Sequence, residues 1–273
     1  MQIVTDRGAD LSPELAKELN IHFAPLHITL NGKTYVSGID LQGEEFYDML
    51  SKTESFPTTS TPSQGDFVEL YRKLAKQGEE ILSVHISSGL SGTYSAARTA
   101  AELVPEAKVS FFDSKTLSCP LGWIVEAAGR AARAGWDSAR ILELLAKLRK
   151  NTEGLFTLDS LDYLIHGGRI SHMKGLLGSL LKIKPIISVE LESGKYVTMR
   201  QDRTFGRALQ GIVHVIEKWH APGSALRIQL LHGKNPEAVE ALKTYLDAVF
   251  QVTWLPTLPI APVLGAHTGP SMV

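Results

Sequence analysis

Cysteine is almost missing: Cys119 stands alone in 273 residues. Disulfides within the chain are thereby excluded, and the sequence fits a reducing compartment. A structural zinc site needs clustered thiolates or imidazoles, and the nine histidines are mostly far apart, so no metal site is expected. Charge of one sign is equally lacking, with 28 Lys and Arg against 29 Asp and Glu, a net charge of −1. No global field recruits nucleic acid, and no basic stripe carries interleaved aromatics, so a nucleic-acid partner is not expected. Long hydrophobic runs are absent too. Stretches such as Lys182-Ile183-Lys184-Pro185-Ile186-Ile187 are broken by charge or proline well short of a membrane span. The first residues, MQIVTDRGADL, lack the charged region and apolar core of a secretion signal, and a cytoplasmic protein is expected. Neither GxxxxGK[ST] nor GxGxxG occurs, which argues against nucleotide-dependent catalysis by this chain alone.

What is present is an ordinary globular composition, 44% hydrophobic and 21% charged, in a chain long enough for two domains. Through residue 150, strand-like and helix-like segments alternate, which predicts a parallel α/β unit. Gln2-Ile3-Val4-Thr5 reads as a strand, and Ser12-Pro13-Glu14 as the capped start of a helix. His22 to Tyr35 alternates around Asn31-Gly32-Lys33 and predicts a hairpin. A polar loop, Phe56 to Ser63, precedes a helix from Asp66 to Lys76 with Phe67, Leu70, Tyr71 and Leu74 on one face. Beyond Asn151-Thr152-Glu153 the pattern changes. A Gly-containing helix is expected from Met173 to Leu181, then a hairpin around Glu192-Ser193-Gly194-Lys195, then helices and strands of an α+β unit with a mixed sheet. The expected domains are therefore 1–153 and 154–273.

Four polar clusters carry the chemistry. His85 to Ser95, HISSGLSGTYS, follows a strand and opens a helix, where unpaired backbone N–H groups and hydroxyls suit an anion. Ser91 is there either a helix cap, an anion ligand or a nucleophile. The nucleophile elbow Gly-x-Ser-x-Gly is missed, because Thr93 replaces the last glycine. His232 and His267 remain as bases for a hydrolase reading. The other clusters are Pro57-Thr58-Thr59-Ser60-Thr61-Pro62-Ser63, Gly167-Gly168-Arg169-Ile170, and Gly265-Ala266-His267-Thr268-Gly269-Pro270, the last read as a glycine-rich loop.

In order along the chain, TD near the start, TTSTPS, SSGLSGTYSAA, DSKTLS, LDYLIHGGRI, KIKPI and AHTGP form a specific set. Over essentially the whole chain it resembles the DegV family of fatty-acid-binding proteins. The resemblance implies a parallel α/β domain followed by an α+β domain, with one long-chain fatty acid between them. It places the carboxylate on Thr59, Ser60 and Ser91, with the Gly92 N–H and His267 beside it. It matches Arg169, Arg203 and His267 to phosphotransfer or partner contact. It implies no catalytic residue and no cofactor beyond the fatty acid as ligand. The implied partners are that acid and a separate ATP-dependent fatty acid kinase, which phosphorylates the bound carboxylate for phospholipid synthesis; membrane contact would be transient. A serine esterase acting through Ser91, or a lipid-binding regulator without phosphotransfer, are the alternatives. One departure stands out: Arg7 follows Asp6 where the family usually has serine. An acyl chain also needs an apolar tunnel, for which Leu161, Leu164, Ile165, Leu176, Leu177, Leu180 and Ile187 are candidates.

Overall fold

A computed structural model describes residues 1–173 and 183–273. The first half runs β1 (Gln2–Asp6), α1 (Pro13–Glu18), β2 (Ile21–Ala24), β3 (His27–Leu30), β4 (Lys33–Val36), α2 (Gly43–Leu50), β5 (Thr58–Ser60), α3 (Gln64–Ala75), β6 (Ile81–His85), α4 (Thr93–Glu102), β7 (Val109–Asp113), α5 (Ser118–Arg133) and α6 (Ser138–Lys150). Strands β2, β1, β6 and β7 lie side by side in that order, all parallel. Every residue of β1 and β6 is buried, as befits strands covered by helices on both faces. The helix starts follow their local chemistry. Ser12 accepts the Leu15 N–H at 3.2 Å, Asp137 accepts that of Arg140 at 2.8 Å, and Ser63 and Asp66 form a reciprocal capping box on α3.

Two expectations are corrected here. The alternation from His22 to Tyr35 is not one hairpin. β2 joins the parallel sheet, and only β3 and β4 form the hairpin, around Asn31 and Gly32 at φ of 52° and 75°. Pro25, which has no N–H for a ladder, separates β2 from β3. The polar loop near residue 60 is also partly a strand. Thr58–Ser60 pairs antiparallel with β3, giving a three-stranded sheet β4-β3-β5.

The second half runs β8 (Phe156–Thr157), α7 (Asp162–His166), a 3-10 turn at Arg169–His172, β9 (Lys184–Val189), β10 (Tyr196–Asp202), α8 (Phe205–Ile216), β11 (Ala225–Ile228), β12 (Leu231–His232), α9 (Pro236–Asp247), β13 (Gln251–Trp254), β14 (Leu258–Pro259) and α10 (Pro262–Thr268). Strands β10, β9 and β8 form an antiparallel sheet, while β11–β13 and β12–β14 are parallel pairs. Both strand directions thus occur, and the α/β class with an α+β second half is the one expected. The helix expected from Met173 to Leu181 falls, beyond Met173, outside the described residues. The glycine-rich segment around His267 is helical rather than a loop. Pro262 opens α10 and Gly269, at φ 73°, ends it; all seven of its residues are buried, so packing overrides the weak local propensity.

The main core joins the two halves. Leu121 and Ile124 of α5, Ile187 and Tyr196 of the antiparallel sheet, and Val263 and Leu264 of α10 belong to one buried cluster. A second cluster holds α8 and α9 over Ile186, and a third packs Phe67, Tyr71, Ala97 and Ala100 against the parallel sheet.

Candidate functional site

The carboxyl ends of β1, β6 and β7 converge, which is where parallel sheets bind ligands. After β6 the chain turns through residues 86–92 before α4. Gly92 is the cap residue of α4 and has no side chain to bond the first-turn N–H groups of this ten-residue helix, which begins at the end of the loop. Ser91 is not that cap. Its Oγ pairs with Thr93 Oγ1 at 2.9 Å and accepts the Thr93 N–H at 3.3 Å. Gly92 itself is exposed and lies beside Thr61.

Opposite this loop, β5 delivers Thr59 and α10 delivers His267, residues 208 apart in sequence. Thr59 Oγ1 and His267 Nε2 are 2.8 Å apart. His267 Nδ1 is buried and has no hydrogen-bond partner among the described residues. A buried N–H without an acceptor is costlier than an unpaired ring nitrogen, so the proton belongs on Nε2. His267 then donates to Thr59 Oγ1, and the Thr59 hydroxyl hydrogen is free to point into the pocket. Burial, and after it the neighbouring Arg169 charge, push the His267 pKa down to about 3, so the ring is neutral.

Arg169 stands in the turn after α7, half-buried, with Nη1 donating to the Gly167 carbonyl at 2.6 Å. Burial lowers its pKa, opposed by Tyr196. Thr59, Ser60, Thr61, Ser91, Arg169 and His267 line one small cavity of about 60 Å³, together with Leu26, Ile86, Leu90, Leu117, Tyr196, Val263 and Leu264. The structure therefore brings Thr59, Ser60, Ser91, Arg169 and His267 together. Arg203 is exposed between β10 and α8 and borders neither this cavity nor the next. Arg7 also stays outside: its guanidinium lies 4.1 Å over the Phe23 ring.

A second cavity, of about 400 Å³, is largely apolar. Pro120, Trp123, Leu155, Phe156, Ile212, Ile216, Leu226, Ile228 and Leu246 contribute to its wall, and Leu117, Tyr196 and Leu264 border both cavities. The tunnel lining expected from sequence is thus corrected. Leu161, Leu164 and Ile187 are core residues, and Ile165 is exposed. None of these four borders the cavity. Leu176, Leu177 and Leu180 lie outside the described residues. Sequence reasoning missed the three residues shared by both cavities, Leu117, Tyr196 and Leu264, and only the position of Tyr196 directly after the hairpin turn offered a signal.

A hydrolase-like chain does exist, but elsewhere. Asp6 Oδ2 accepts from His85 Nδ1 at 2.9 Å, His85 Nε2 pairs with Ser83 Oγ at 2.7 Å, and Ser83 Oγ with Tyr71 OH at 2.8 Å. Asp6 also accepts the Gly8 and Ile86 N–H groups, at 2.8 and 3.0 Å. Asp6, Ser83, His85 and Tyr71 are wholly buried, so this network braces the end of β6 and meets no substrate. At the pocket, the bonds run from Ser91 to Thr93 and from His267 to Thr59, and they pair no base with Ser91. His232 is engaged by the Asn235 N–H at 3.2 Å. Among the described residues no group of three His, Cys, Asp or Glu is placed to hold a metal ion, and no helix is long and apolar enough to cross a membrane.

A hydroxyl-lined pocket abuts an apolar cavity at the carboxyl end of a parallel sheet, and together they make an amphipathic site. The DegV family model matches residues 1–273. A DegV domain-containing protein of Staphylococcus aureus strain N315 is 37% identical over 267 residues, covering 98% of this chain and 94% of that protein. Among solved structures, DegV from Bacillus subtilis, described as a fatty acid binding protein, has a TM-score of 0.88 at 29% identity and covers 99% of this chain and 96% of its own. A fatty-acid-binding DegV family protein of Thermus thermophilus has a TM-score of 0.87 at 28% identity, with the same coverages. The chain belongs to the DegV family.

Proposed function

We propose that the protein binds a long-chain fatty acid, its carboxylate among Thr59, Ser60 and Ser91 and its acyl chain in the large cavity, and presents it to a separate kinase. The observation that carries this reading is the juxtaposition of the two cavities at Leu117, Tyr196 and Leu264. A buried carboxylate demands several hydrogen bonds. The Thr59 hydroxyl, oriented by His267, the Ser91 hydroxyl and the N-terminus of α4 supply donors, and Arg169 adds positive charge. An acyl chain of about 16 carbons, at roughly 0.8 kcal/mol per buried methylene, offers on the order of 10 kcal/mol before binding costs. The fatty-acid-binding DegV proteins of B. subtilis and T. thermophilus support the choice of ligand. Residues 1–153 and 154–273 act as two domains that close over the acyl chain. Kinase presentation extends the reading: Arg169 and His267 serve phosphotransfer at the head group, and exposed Arg203 meets the partner. The setting is cytoplasmic, and membrane contact is transient.

Mass spectrometry of ligand extracted from the purified protein is the direct test. The expected result is long-chain fatty acid, lost when Thr59 and Ser91 are both replaced by alanine. An empty protein that also takes up no added fatty acid refutes the reading, and turnover of an activated acyl ester abolished by Ser91→Ala puts a hydrolase in its place. With the kinase and ATP, Arg169→Ala is expected to reduce acyl-phosphate formation more than binding; equal loss of both counts against a transfer role.

A further inference from the structure

We infer that Ser87, which is not one of the proposed carboxylate ligands, sets where the acyl chain lies relative to the carboxylate by fixing the neck between the two cavities. This rests on the fatty-acid reading above. Ser87 is fully buried. Its N–H donates to the Thr116 carbonyl at 2.8 Å, and its own carbonyl accepts the Leu90 and Ser91 N–H groups at 3.0 and 3.1 Å. Its Oγ donates to the Gly194 carbonyl at 2.6 Å and accepts the Gly89 N–H at 3.1 Å. One residue thereby ties together the loop that carries Ser91, the segment that leads to Leu117, and the β9–β10 turn that leads to Tyr196.

The clasp is tight. A Cβ at Gly89 would lie 2.5 Å from the Ser193 and Gly194 carbonyl oxygens, and one at Gly194 would lie 2.2 Å from Ser87 Oγ. Gly194 also has a φ of 68°, so only glycine meets both demands. The turn is braced within itself, with the Gly194 N–H on the Glu190 carbonyl at 2.8 Å and the Glu190 N–H on the Lys195 carbonyl at 2.9 Å. A displacement at Gly194 is therefore passed on to Tyr196. The Tyr196 ring is buried and packs edge-on against Phe156, 5.4 Å between centroids, on the wall of the large cavity. A ligand that spans both cavities must pass between Tyr196, Leu117 and Leu264. Ser87 thus acts as a positioning residue, and the neck it holds determines chain-length specificity.

The test compares binding of lauric and palmitic acid to the full chain. Ser87→Ala removes both Oγ bonds and leaves the backbone bonds in place. Re-registering the chain by about two methylenes is expected to change the palmitic-to-lauric affinity ratio about tenfold. Ser91→Ala is expected to weaken both acids by a like factor and leave the ratio unchanged. Tyr196→Leu alters the neck with the clasp intact, and is expected to shift the ratio as well. A wild-type ratio in both Ser87→Ala and Tyr196→Leu overturns the inference. Should Ser87→Ala not fold, Ser87→Cys, which keeps a side-chain donor but with longer and weaker bonds, and Tyr196→Leu decide together by the same ratio, and no change in either overturns it. Wild-type protein that takes up neither acid overturns the fatty-acid reading itself, an outcome distinct from an unchanged ratio.

Discussion

At the scale of single residues, the site depends on which atom carries a proton. His267 is neutral because burial, reinforced by Arg169, opposes a second charge, and its one hydrogen-bonded nitrogen faces Thr59. Nitrogen-15 NMR is expected to show an Nε2–H tautomer that does not titrate between pH 5 and 8; a midpoint near the ordinary value of 6.5 would contradict the geometry. Thr59→Val, nearly the same shape without the hydroxyl, leaves His267 Nε2–H unpaired and removes a donor to the carboxylate. A loss of roughly tenfold or more in fatty-acid affinity is expected by titration calorimetry. The types of residue at this site were legible in the sequence, since clustered hydroxyls and an arginine after paired glycines have little use in packing. The pairing was not. Thr59 and His267 meet only because β5 and α10 both pack against β3, and no local pattern announces a contact across 208 residues.

At the scale of elements, α10 is the part that sequence misled most. Its glycine and polar residues read as a loop, yet it is buried against α2, α7 and β3. The packing explains one glycine. A Cβ at Gly265 would lie 2.2 Å from Tyr47 OH, a buried hydroxyl with no hydrogen-bond partner among the described residues. Gly265→Ala is therefore expected to lower stability by about 1–3 kcal/mol, the range for overpacking. Tyr47→Phe alone should be near neutral, because it removes an unsatisfied hydroxyl. In the double variant, Tyr47→Phe should recover a large part of the loss. Additive effects in urea denaturation would place the strain elsewhere. Elements with strong periodicity and clear caps, such as α3 and α6, were legible; β5 and α10, short and dictated by their neighbours, were not.

For the whole molecule, two buried groups make stability respond to pH in opposite directions. Asp10, packed between the first turn of the chain, Ser118 and the start of α10, has its pKa raised by burial from 3.8 to about 7, against the pull of the Ser118 hydroxyl and the Ala261 N–H. Between those values the folded state holds a proton that the unfolded chain has lost, so Asp10 makes stability fall as pH rises. His267 does the reverse. Its pKa falls from 6.5 to about 3, the unfolded chain holds the extra proton in that window, and stability rises with pH. Where the windows overlap, roughly pH 4 to 6.5, the slopes offset each other, each limited to about 1.4 kcal/mol per pH unit. Asp10→Asn is expected to unmask a rise in stability with pH across this range in thermal or urea unfolding. A variant whose profile matches wild type would show that Asp10 titrates normally.

Cys119, the single thiol, sits on the wall of the large cavity at the start of α5, where burial first and Asp10 second raise its pKa. It contributes no bond to the head-group pocket. The molecule therefore carries a single thiol, held protonated, facing the compartment assigned to the acyl chain and separated from the groups assigned to the carboxylate. Protonated and hence a poor nucleophile, that thiol can line the cavity as a small apolar side chain without reacting with what fills it.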